Sequence, residues 1–195
     1  MSATLKELQH FYWYCHIAAE VIATLPSNEA TRAVSRNAVR MATLNVVGRK
    51  GIGIASDDAH RIKQETGKDW YKCGLIREHA VPVSEIHRRV VSEISRPMTP
   101  EQAVIATGAL KTDMAASGLD RTAIDAFPAN PAAWAAVRII RALAHICWVS
   151  AEDDRKLGGA RTDGSVNLRK SMPGNWDGED PLARYKHADI NVSPI

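Results

Sequence analysis

Three observations predict an α+β fold, a mainly helical single domain with a small sheet and a loop-rich carboxyl-terminal arm. Apolar residues recur at steps of three and four through most of residues 5–143, and two short apolar runs near 73–81 and 144–149 lack that period. Beyond position 158 the sequence turns to Gly, Pro, Asn and Asp, with few periodic apolar residues. The expected organisation is a helical core with short strands over 1–157 and an arm over 158–195 packed on the same domain.

Leu8, Phe11, Cys15, Ala18, Ile22 and Leu25 form one stripe of a long first helix, which Pro26 ends. Phe11, Tyr12, Trp13 and Tyr14 cover more than one of its faces, which predicts burial on two sides or a surface that joins copies of the chain or binds a partner protein. A second helix starts near Glu29 after Ser27 or Asn28 as cap. It carries Val34, Ala38, Met41 and Leu44 inward and a row of Arg32, Arg36 and Arg40 outward. Such a row can track phosphates, and a solvated helix face has the same pattern.

The run Gly48 to Gly53 lacks both the ending of a phosphate loop and the spacing of a dinucleotide fingerprint, so it is read as a turn. Ser56 caps a short polar helix closed by Gly67. Trp70 to Val81 is an extended arm or strand stopped by Pro82, and Val83, Ile86, Val90 and Ile94 begin the next helix at once. Thr99-Pro100-Glu101-Gln102 and Asn130-Pro131 each combine a capping side chain with proline at the first turn, starting two further helices. Ala144 to Val149 reads as a buried strand, and Ser150 to Asp153 opens a short helix.

The 195 residues suffice for one well-buried core, and 45% hydrophobic with 24% charged residues is ordinary for a globular protein. No apolar run approaches the ~20 residues a membrane span needs, and the amino terminus carries no signal-like core, so no membrane partner and a cytoplasmic location are expected. Cys15, Cys73 and Cys147 are too scattered to suggest a disulfide framework or a zinc ribbon. A net charge of +3 is compatible with a nucleic-acid partner without requiring one.

The strongest chemical signal is Glu78-His79, a carboxylate and an imidazole delivered side by side at the end of an apolar run. Neighbours in a strand point to opposite faces, yet at a frayed strand end both can reach one metal and one water. The pattern Glu78-His79-Ala80-Val81-Pro82 resembles the first half of the motif of HNH endonucleases, the histidine-metal finger family. That resemblance implies His79 as the base that activates water and Glu78 as ligand of a divalent metal ion, Mg or Mn. It covers about eight residues, and Val83 begins a helical pattern where the family continues into a loop and a second strand. Remaining ligands would come from Asn167, Asn175 or His187.

The expected function is a metal-dependent nuclease hydrolysing phosphodiester bonds, with Arg77, Arg88, Arg89 and Arg184 as phosphate contacts. The alternative is a non-enzymatic interaction protein that binds nucleic acid through the arginine row or a protein through the first helix. A structural reading stands beside both: Glu78 pairs with Arg77 or Arg89, His79 is a satisfied strand-end histidine, and Arg184 and Tyr185 serve the core.

Overall fold

The structure, a computed structural model, describes residues 3–46, 53–158 and 167–195. Helix α1 (Leu5–Thr24) opens on a capping box between Thr4 and Glu7, and α2 (Glu29–Val46) opens on a reciprocal pair in which Asn28 and Thr31 each bond the other's backbone amide. The two helices pack on one another, and their small residues Ala18, Ala19, Ala38 and Ala42 are buried in one core cluster. Phe11 and Tyr12 are fully buried, the Tyr12 hydroxyl donating to Asp113 at 2.7 Å, while Trp13 is 45% exposed, so the aromatic cluster of α1 is mostly core.

Helix α3 (Asp57–Thr66) starts at the Ser56 cap and ends at Gly67, whose φ of 62° takes the left-handed turn. Helices α4 (Val83–Ile94), α5 (Pro100–Ala116), α6 (Arg121–Asp125) and α7 (Pro131–Leu143) complete the helical layer. Thr99, Asp120 and Asn130 cap the last three. Helix α7 lies at the centre, touching α1, α2, α4 and α5 through Ala133, Ala136, Val137 and Ile140, all fully buried.

A four-stranded mixed sheet forms beside this layer: β1 (Ile54–Ser56), β2 (Ile76–His79), β3 (Ile146–Val149) and β4 (Val192–Pro194), in the order β2-β3-β1-β4. The fold is thus α+β, mainly helical, as the periodicities predict. Strand β3 is buried throughout; it runs parallel to β1 and antiparallel to β2. Its alternation sends Cys147 and Val149 into one small core and Trp148 into another with Ala55 and Ala59.

Two of the four strands are additions to the expected pair. Strands β1 and β4 are three residues each, too short for an alternating pattern to emerge, and their partners lie far away in sequence. Gly53 leads into β1 because the chain there passes Ile146 closely: a Cβ at Gly53 would fall 2.5 Å from the Ile146 carbonyl oxygen. The rest of the glycine run, residues 48–52, lies outside the described residues.

The arm is more ordered than its composition suggests. After α8 (Ala151–Gly158), its described part contains α9 (Ala183–His187) and β4, and contributes Leu168, Tyr185, Ala188 and Ile190 to the core under the sheet. Among the described residues, no helix is long and apolar enough to cross a membrane.

Candidate phosphate-binding cleft

Strand β2 presents Arg77 and His79 on one side and Glu78 on the other, because successive side chains of a strand alternate. An open cleft of about 500 Å³ nevertheless collects Arg77, Glu78 and His79 with Ser84 of α4 and Arg169 and Lys170 of the arm. Pro82 supplies no capping side chain, and Val83 and Ser84 also line the cleft, so the positive end of the α4 dipole adjoins it.

The inner wall is a locked ion pair. Arg184 of α9 is 1% exposed; its Nη2 donates to Glu78 Oε1 at 2.8 Å and to the Tyr185 hydroxyl at 3.1 Å, and also to the His79 carbonyl. Nη1 donates to the Leu168 carbonyl at 2.9 Å. The Tyr185 hydroxyl donates to the same Glu78 oxygen at 2.8 Å. Burial pushes the Glu78 carboxyl above its usual range, against the opposing pull of Arg184 and Tyr185. Burial likewise raises the neighbouring Cys147 thiol to about 12 and holds the Tyr185 phenol well above its ordinary value.

His79 lies in the opposite electrostatic situation. Burial, then the charges of Arg77, Arg40 and Arg184, lowers its pKa to about 4, so the ring is neutral at pH 7. Its Nδ1 is buried with no hydrogen-bond partner among the described residues. The influence of Arg40 ties helix α2 to this cleft, and Arg36 acts in the same way on His87. Arg32, Arg36 and Arg40 are all exposed and form no ion pair among the described residues, and nor does Lys170. With about 1.5 Å of rise per residue, the three arginines span roughly 12 Å along the helix.

The structure separates the four arginines that the sequence groups. Arg77 and Arg184 line the cleft, with Arg184 directed inward as a brace for Glu78. Arg88 pairs with Glu85 and borders a different groove. Arg89 stacks on Trp176, its guanidinium carbon 4.4 Å from the ring centroid, and donates to the Asp177 carbonyl. Gly178 makes that contact feasible: its φ is +98°, and a Cβ there would overlap the Arg89 guanidinium. Neither Asn167, Asn175 nor His187 lines the cleft.

A divalent cation needs oxygen donors without competing positive charge. Here the single carboxylate already accepts two hydrogen bonds, one from a guanidinium, and the other charged side chains lining the cleft are all basic. Among the described residues, no group of three or more His, Cys, Asp or Glu could hold a metal ion. Glu78 thus stands already engaged by Arg184 and Tyr185, and Arg169 enters the cleft paired with Asp154, whose charge also acts on Glu78.

Sequence reasoning missed Arg169, Lys170 and Ser84. Arg169-Lys170 is a visible basic pair, but its arm has no periodicity to bring it to the strand, and the Asp154 carboxylate that holds the Arg169 guanidinium lies fifteen residues away. Comparison with protein-family models, with curated proteins and with solved structures finds no match to this chain.

Proposed function

We propose that this protein binds nucleic acid through its phosphates, along a track running from Arg32, Arg36 and Arg40 of α2 into the cleft lined by Arg77, Arg169 and Lys170. The observation that carries this reading is the pair of basic surfaces, an exposed row of Arg32, Arg36 and Arg40 without ion-pair partners among the described residues and a cleft lined by Arg77, Arg169 and Lys170, with the charge of Arg40 felt at His79. Cations arranged in a line match an extended polyanion better than a compact anion, around which they would converge. His79, neutral and with an orphaned Nδ1, can donate a hydrogen bond to an entering phosphate in the tautomer that protonates that nitrogen, and the phosphate charge offsets the surrounding guanidinium charges.

The test is the affinity for a short oligonucleotide at several salt concentrations. The reading expects the logarithm of affinity to fall linearly with the logarithm of salt concentration; no binding, or a flat dependence, contradicts it. The cleavage reading has one observation in its favour, that Glu78 and His79 share one cleft. If the chain cleaves the strand in Mg2+ or Mn2+, and His79→Ala abolishes cleavage without lowering Tm, nuclease activity replaces simple binding.

A further inference from the structure

A second groove, between α1, α2 and α4, has a volume of about 300 Å³ and a layered chemistry. Its rim carries the exposed Arg32 and Arg36. Ile22, Leu25 and Val91 form apolar walls. Ser35 and His87, 2% and 7% exposed, belong to its lining and are joined by a hydrogen bond of 2.8 Å between Oγ and Nε2. Burial and the charge of Arg36 hold the His87 imidazole below its ordinary pKa, so the deepest part of the groove is uncharged at neutral pH.

A matching ligand keeps its negative charge at the rim and inserts an uncharged body with apolar faces and a hydrogen-bonding edge. A free phosphate leaves the apolar walls uncovered. An alkyl chain covers the walls but leaves the remaining hydrogen-bonding capacity of the Ser35–His87 pair unused. A nucleobase attached to its own phosphate meets all three layers.

Resting on the nucleic-acid reading above, the geometry points to this groove as a base pocket: a single strand follows Arg32, Arg36 and Arg40 and turns one unstacked base onto the Ser35–His87 pair. A base inside a duplex has its pairing edge occupied and both faces stacked, so the pocket selects single strands.

Fluorescence anisotropy on three labelled probes tests this: a single strand of about ten nucleotides, the same strand in a duplex, and an abasic strand of equal length with the same phosphates. The intact single strand is expected to bind about tenfold tighter than the abasic one, from burying the base against Ile22, Leu25 and Val91. Val91→Trp, which fills the groove, and Leu25→Asn, which makes its exposed lip polar without adding charge, should each bring the intact strand down to abasic affinity. Binding of the abasic strand by these variants should stay as in the unaltered chain, which also reports that they fold. Equal affinity for intact and abasic strands overturns the pocket and leaves the phosphate track standing, as does a duplex that binds as tightly as the single strand. Unchanged affinity in both variants overturns it as well. Failure of all three probes to bind removes the track and the pocket together.

Discussion

Arg184 illustrates why residue type alone misleads. A guanidinium in a loop-rich arm suggests a phosphate contact, yet here it is buried against a carboxylate and three backbone carbonyls, one of them shared more distantly. Removing one partner of a buried pair leaves the other charge uncompensated, which costs about 3–5 kcal/mol. Arg184→Met should therefore lower stability by that order in a urea melt, and adding Glu78→Met to it should recover part of the loss. Full stability in the single variant would mean that Arg184 is free to serve a ligand instead. His79 gives a second prediction, of pH dependence. Its folded pKa of about 4 lies below the ordinary 6.5, so the unfolded chain binds the extra proton first. The stability contributed by the neutral ring is complete above pH 6.5 and declines as pH falls towards 4, by roughly 2 kcal/mol at pH 5. His79→Gln should lose less stability than the unaltered chain between pH 7 and 5; an identical loss contradicts the assignment. The pairing of Glu78 and His79 was legible in the sequence, whereas their environment was not, because Arg40, Tyr185 and Arg184 reach them from distant segments.

At the scale of elements, helices announce themselves through local chemistry. Asn28, one of the two caps open for α2, and Ser56, Thr99 and Asn130 each accept from a backbone amide, since a cap needs only residues two or three positions away. Strands β1 and β4 carry no such local signal, and five-residue helices α6 and α9 are shorter than a stripe needs. The arginine row of α2 was legible as a row, because a four-residue step returns to the same face. What spacing could not supply is its surroundings, the groove that Arg32 and Arg36 border with α1 and α4. Replacing Arg32, Arg36 and Arg40 with Gln should reduce the slope of log affinity against log salt by about three, with little change in Tm because all three are exposed. An unchanged slope would detach the helix from nucleic-acid binding.

At the scale of the molecule, the arm is what assembles both the sheet and the cleft. It closes the sheet with β4, braces Glu78 with Arg184, and carries Arg169 and Lys170 to β2. Composition labels such a segment a loop because its apolar residues are few; those few, Leu168, Tyr185, Ala188 and Ile190, are buried. Removing residues 191–195 should lower Tm by exposing the edge of β1, while helical circular dichroism persists because the main core lies among α1, α2, α4 and α7. Simultaneous loss of helix and sheet would show a single cooperative unit instead.

The most direct test of the phosphate track is photo-cross-linking of a single-stranded oligonucleotide, with the attached peptides identified by mass spectrometry. Cross-links are expected in α2, in the first turn of α4 and around Arg169 and Lys170, the segments that line the track and its cleft. Cross-links confined to α5 and α6, or none at all, would contradict it.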